Sequence, residues 1–196
     1  PLVYTLAQRN NWPEVFAKLL ELNRQAYAEG VNIRPVFPPR AIGILLGLQA
    51  TQTPFSGCPT FKKLNDLPLE EKVKKLRYPN IRSQILSEDP VKESTFPLIH
   101  RMSYGYMFRF GNKDYIPQAE DSAAAIAERE GKTAAEVAYD MLLENDGKNF
   151  IYMPITNYTG YGLSASESLL NEKMAIMGLG DGGAHVGFIL DAGFPT

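Results

Sequence analysis

The order strand, helix, strand within residues 1–37 narrows the fold more than anything else in the chain. Leu2-Val-Tyr-Thr-Leu6 is rich in β-branched and aromatic residues, the composition of a strand. A helix is expected directly after it. Asn11 stands three residues before Glu14 as in a capping box, Pro13 suits a first turn, and Val15, Phe16, Leu19, Leu20, Leu22, Ala26 and Tyr27 fall along one broad face. Gly30 ends that helix, and Val31 to Phe37 is extended again until Pro38 and Pro39 stop it. This is the crossover unit that joins two parallel strands, with its helix lying on one face of the sheet.

The alternation lapses and then returns. Ile42-Gly-Ile-Leu-Leu-Gly-Leu48 fits a close-packed helix or a buried extended segment equally well. Over about 51–117, prolines, aromatics and short helical patterns take over, the character of an insertion that caps an active-site mouth. Asp66 and Pro68 precede Leu69, Val73 and Leu76 at helical spacing; that helix ends before Pro79, and Ile81 to Glu88 suggests another. The aromatic run from Phe96 to Phe110 either lines an apolar pocket or is core. Regularity resumes at Gln118 with an Ala-rich helix that Gly131 terminates, and Thr133 with Glu136 forms a capping box for the next, which runs toward Asp146-Gly147. Phe150 to Ile155 reads as a strand that delivers Thr156, Asn157 and Tyr158 to a loop, facing a cleft or solvent. Ser164 and Glu167 suggest a further capping box, and a last apolar run leads to Asp181. Three or four such strands are too few to close an eight-stranded barrel. The pattern predicts an α/β chain, residues 1–196 forming one partial TIM-like (β/α) barrel domain, or part of an open parallel sheet, with a helical insertion.

Composition narrows the function. Lys and Arg (20) nearly balance Asp and Glu (22), and the densest basic cluster, Lys72 to Arg77, lies beside Glu70 and Glu71 on a helical pattern, so it reads as a solvated helix face and no nucleic-acid partner is expected. Cys58 is the single cysteine, which rules out an internal disulfide and favours a cytoplasmic setting. No apolar run reaches membrane-spanning length and no signal peptide is visible, so no membrane partner is expected. Pro1 in place of an initiator Met, and an end soon after the most informative motif, suggest a piece of a longer protein.

That motif is Met174-Ala-Ile-Met-Gly-Leu-Gly-Asp181-Gly-Gly-Ala-His185-Val186, a buried-strand pattern opening onto a glycine-flanked acid. Gly178 to Gly183 also matches G-x-G-x-x-G, but Asp181 would set a carboxylate against the pyrophosphate, and no helix, strand and ribose-binding acid come after it. A carboxylate at a strand tip suits metal-assisted hydrolysis better. One oxygen ligates a divalent metal, which lowers the bound water's pKa to about 7, while the other takes the water's proton and passes it to the leaving group. His185 either orients substrate from the rim or packs beyond the turn. His100 reads as a structural histidine, since no second ligand stands at helical or strand spacing from it.

The run Gly178 to Val186, with Asp191 and Phe194-Pro-Thr196 after it, resembles the last-strand motif of the amidohydrolase superfamily, in particular its N-acyl-D-amino-acid deacylase (D-aminoacylase) branch. Arg40-Ala-Ile-Gly, Leu46-Gly-Leu, Pro54-Phe55, Leu69 to Leu76 and the stretch from Thr133 to Glu144 resemble that branch in the same order. The resemblance implies a zinc-dependent hydrolase that cleaves the amide of a small N-acyl amino acid, with Asp181 as the catalytic, metal-facing aspartate at the mouth of a TIM-like barrel. Arg40 is a candidate for the substrate carboxylate, which a guanidinium matches in geometry, or an exposed structural arginine. The His-x-His pair and middle-strand ligands of the family have no counterpart among His100 and His185, so the chain corresponds to a C-terminal part of such a barrel. The alternative is a non-catalytic piece serving assembly or small-molecule binding, whose open sheet edge pairs with a second copy as a homo-oligomer.

Overall fold

The computed structural model describes residues 1–92, 103–111 and 116–178. The chain is a mixed α/β protein that splits into two compact units, Pro1–Ile44 with Pro154–Thr196, and Leu45–Met153.

In the first unit the expected crossover forms. Strand β1 (Leu2–Thr5) pairs in parallel with β2 (Ile33–Phe37), Leu2 opposite Ile33 and Thr5 opposite Val36, and helix α1 (Pro13–Ala28) connects them. A third strand, β6 (Ile176–Met177), lies parallel on the far side of β2, giving the order β1-β2-β6. Leu6, Phe16, Leu20, Phe37, Ala165, Leu169 and Met174 make the core, the last group supplied by helix α7 (Ser164–Leu170) and the turn after it. Each Leu, Phe or Met side chain among them contributes roughly 1.5–3 kcal/mol through the water it sheds. Outside the core, Arg24 of α1 forks onto a single carboxylate oxygen of Glu172.

Three local expectations are corrected here. Helix α1 starts at Pro13 with Trp12 as its cap residue and no side-chain capping bond, so Asn11 stands one position too early to cap it. Likewise Ser164 is already inside α7, whose cap residue is Leu163, and no capping box forms with Glu167. The broad apolar face of α1 is only partly used: Phe16 and Leu20 are buried, whereas Val15, Leu19, Leu22 and Tyr27 are exposed. The sheet beneath is three strands wide among the described residues, too narrow to cover the whole stripe.

The ambiguous Ile42–Leu48 run is a strand, β3 (Ile42–Gly47), and the second sheet takes the order β3-β5-β4. Its β4 (Phe108–Arg109) is antiparallel to β5 (Phe150–Thr156), with Phe108 opposite Tyr152. The sheet is thus of a different kind from the all-parallel one.

The second unit is mainly helical: α2 (Pro59–Lys62), α3 (Leu69–Leu76), α4 (Pro79–Ser87), α5 (Ala123–Glu130) and α6 (Ala134–Leu143). Helix α6 packs against the residues that precede it in this unit. Tyr139 of α6 donates a hydrogen bond to the Leu76 carbonyl at 2.8 Å and meets Phe55 edge to face at 5.3 Å between ring centres. At the start of α6, Thr133 and Glu136 bond reciprocally, as a capping box requires. The basic cluster on α3 departs from expectation in one residue. Lys72 is buried beside Val73 and Leu76, and burial lowers its pKa against the opposing pull of Asp66. In the aromatic run, Met107 and Phe108 are core while Phe110 is exposed, and residues 96–102, His100 included, lie outside the described residues. Among the described residues the two sheets do not close into a barrel, and no helix is long and apolar enough to cross a membrane.

Candidate functional site at the C-terminal edge of the parallel strands

Parallel strands send their C-terminal ends to the same side of a sheet, so β1, β2 and β6 deliver three chain segments to one edge. From β1 the chain runs through Gln8, Arg9 and Asn10; from β2 it passes Pro38 and Pro39 to Arg40; from β6 it reaches Gly178, whose N–H donates to the Phe37 carbonyl at 3.2 Å. The end of β5 joins them, since Arg9 and Thr156 form an antiparallel bridge.

Asn157 is the residue on which these segments converge. It is fully buried, and its Oδ1 accepts from the Gln8 N–H at 2.7 Å while its own N–H donates to the Gln8 carbonyl at 2.8 Å. Its Nδ2 donates to Ser166 Oγ at 3.4 Å, and that hydroxyl donates to the Pro38 carbonyl at 3.1 Å. Alongside, Asn10 Oδ1 accepts from the Tyr158 N–H at 3.0 Å and Asn10 Nδ2 donates to the Pro154 carbonyl at 3.1 Å. Two asparagines and one serine therefore tie the loops after β1, β2 and β5 by buried and half-buried polar bonds, which hold the loops in one geometry.

The loop after β5 holds unfavourable backbone. Asn157 has φ 56°, Gly160 φ 70° and Tyr161 φ 61°, and a bulky side chain in that region is a genuine outlier. Such strain persists where the surroundings over-determine it and gathers at ligand-binding loops. The hydroxyls of Thr156 and Thr159 are buried there without a hydrogen-bond partner among the described residues. Thr156, Asn157 and Tyr158 were expected on a loop facing a cleft or solvent; Asn157 and Tyr158 are instead buried, and their groups hold the edge together. Gln8, Asn10 and Ser166 were not singled out from the sequence. The available signal was Asn157 itself, a residue tolerant of left-handed backbone just past a strand.

Of the residues proposed from the sequence, Arg40 lies at this edge, half-buried and three positions beyond the end of β2. Asp181 and His185 come after β6 in the sequence and lie outside the described residues. Among the described residues no group of three or more His, Cys, Asp or Glu is arranged to hold a metal, so they do not by themselves make the ligand set zinc needs. Elsewhere the buried thiol of Cys58 is a poor nucleophile: burial first, then Glu88 and Asp89, push its pKa up to about 12.

These features define a mixed α/β protein whose parallel sheet gathers a buried polar network at its C-terminal edge. No family model matches the chain, nor does any curated protein or solved structure.

Proposed function

We propose that the complete protein is an amide hydrolase of the amidohydrolase type, acting in the cytoplasm on small N-acyl amino acids, with Asp181 as its proton-transferring acid. The observation that supports this reading is the parallel pairing of β6 with β2, Val36 opposite Ile176 and Phe37 opposite Met177, because Asp181 stands four residues after Met177. Catalytic side chains of parallel α/β enzymes gather just past strand ends of this kind. The chemistry asks for such an acid. An amide nitrogen departs poorly as an anion; a carboxylate that takes the proton of the attacking water and returns it to that nitrogen lowers the barrier to its departure.

Arg40 stands just past the neighbouring strand at the same edge and offers a planar fork to the substrate carboxylate. His185, four residues after Asp181 in the same glycine-rich stretch of sequence, orients the scissile amide. The β1-α1-β2 unit with β6 beside it suits one stretch of a TIM-like barrel, into which about 51–117 is inserted. Zinc bound in the complete enzyme would supply Lewis acidity to water and carbonyl, with Asp181 the ligand from this chain.

The test uses full-length protein and N-acetylated D- and L-amino acids. Asp181→Asn is expected to abolish turnover while the thermal melt stays unchanged, and near-wild-type activity in that variant would end the proposal.

A further inference from the structure

Arg40 is carried on a short, stiff arm. The arm starts from Phe37, the last residue of β2, which lies opposite Met177 of β6 and whose carbonyl accepts the Gly178 N–H at 3.2 Å. Pro38 and Pro39 follow, and their rings fix φ at about −65°. Phe37 and Pro38 each precede a proline, which confines both to extended ψ. Of the φ and ψ rotations between the Cα atoms of Phe37 and Arg40, only ψ of Pro39 is therefore left loose by the sequence.

A side-chain bond braces the middle of this arm. The buried Ser166 donates from Oγ to the Pro38 carbonyl at 3.1 Å, and the same hydroxyl accepts from Asn157 Nδ2 at 3.4 Å. A hydroxyl that accepts on one side and donates on the other has its rotor set, so its proton is directed at Pro38. Asn157 is held in turn by its two bonds with Gln8. The core of this unit already takes Ala165 and Leu169 from α7, and a buried hydroxyl between them adds little net stability. What the bond does is fix where one carbonyl sits. Two residues beyond that carbonyl stands Arg40, and the bidentate fit of a guanidinium to a carboxylate tolerates little misplacement.

We propose that Ser166 is a positioning residue for the substrate: through the Pro38 carbonyl it sets the place of Arg40, and Arg40 takes the carboxylate of the N-acyl amino acid. This rests on the amide-hydrolase reading above. Ser166 itself does not touch substrate. The carboxylate takes no part in the bond changes at the amide, so loosening its anchor weakens ground state and transition state alike, and the effect falls on KM.

Steady-state kinetics of the full-length protein on an N-acetyl amino acid test the proposal. Ser166→Ala is expected to raise KM about tenfold and to leave kcat within about twofold of the wild type. Pro39→Gly loosens the arm without removing a buried bond; it should raise KM in the same way, and it decides the matter should Ser166→Ala fold poorly. The double variant Ser166→Ala with Arg40→Ala should match Arg40→Ala alone in kcat/KM, since without the guanidinium nothing is left to position. If Arg40→Ala raises KM while Ser166→Ala and Pro39→Gly do not, or if the losses from Ser166→Ala and Arg40→Ala add, the proposal is overturned and the amide-hydrolase reading stands. An unchanged KM in Arg40→Ala takes Arg40 out of the site and the proposal with it. Absence of turnover by the wild-type protein would overturn both.

Discussion

Gln8 and Asn157 exchange two hydrogen bonds across 149 residues of sequence, the Gln8 N–H giving to Asn157 Oδ1 at 2.7 Å and the Asn157 N–H to the Gln8 carbonyl at 2.8 Å. A side-chain carbonyl thereby does the work of a backbone carbonyl, and the loop after β5 is paired to the loop after β1 as though a strand continued. The arrangement needs Asn157 at φ 56°, a conformation that asparagine tolerates better than any other residue with a side chain of its size.

Asn157 should therefore be sensitive in two separable ways. Asn157→Ala leaves the Gln8 N–H without its acceptor, at about 1–3 kcal/mol, and keeps a Cβ in left-handed backbone. Asn157→Gly loses the same side-chain hydrogen bonds but relieves up to roughly 1–2 kcal/mol of that Cβ strain, so glycine should be the milder change. Urea unfolding followed by the fluorescence of Trp12, the single tryptophan, which sits in the same unit, measures both. Equal losses for alanine and glycine would mean that the backbone is not strained there.

How much of this could be read beforehand depended on the range of the interactions. The Thr133–Glu136 box was legible because both of its bonds close within four residues. The same letters at Asn11–Glu14 and Ser164–Glu167 carried no information about which residue would sit at the cap, and a shift of one position undid both. The exposed half of α1 was hidden for another reason, since periodicity reports which residues share a face and not how much sheet lies under it. At the candidate site the strand before Asp181 was legible as an apolar run and forms at Ile176–Met177, but both side chains are exposed where the run had read as buried. The Asn157 network was not, because its partners Gln8 and Pro38 are distant in sequence and hold it through backbone groups that have no residue signature.

Lys72 predicts a pH dependence whose sign is set by burial. Its native pKa lies below that of an unfolded lysine, with desolvation as the leading cause. Between the native and the unfolded pKa the unfolded chain binds more protons, so stability rises with pH across that alkaline window, and below it the cost of the buried charge is constant. Lys72→Met keeps the apolar stem and removes the charge. The variant should be more stable at neutral pH and should lose the alkaline rise. Melting temperatures of both proteins from pH 7 upward decide it; parallel curves would mean that the ammonium group is fully hydrated.

Two glycines of the second unit should fail differently as alanine. A Cβ at Gly57 would stand 1.7 Å from the Pro90 carbonyl oxygen, a backbone atom that moves only with its chain. At Gly147 the first obstacle, 2.5 Å away, is Cγ2 of Val73, the end of a side chain, but φ is +77°. Gly57→Ala is expected to cost about 3 kcal/mol or more by overpacking, and Gly147→Ala about 1–2 kcal/mol from its backbone with a smaller packing loss. Thermal melts rank the two, and a milder Gly57 variant would show that the chain near Pro90 yields.

Cys58 supplies a chemical reading of the same unit. Its thiol is buried at the start of α2, with Sγ 3.7 Å from the Ile85 carbonyl, and burial, Glu88 and Asp89 push its pKa up to about 12 while Lys62 pulls weakly the other way. The native thiolate is then scarcer than in the unfolded chain by about three powers of ten, and the thiolate is the form that reacts. Iodoacetamide at mildly alkaline pH should leave the native protein unmodified and alkylate it at the rate at which this unit opens, so added urea should raise the rate in step with unfolding. The linkage also fixes a direction: above the pH at which the unfolded thiol ionises, the native state holds its proton longer, and stability falls as pH rises toward 12. That fall opposes the rise expected from Lys72, so Cys58→Ala should steepen the alkaline rise, and Lys72→Met should expose the fall. Alkylation of the native protein as fast as of a free thiol would show that Cys58 is open to solvent.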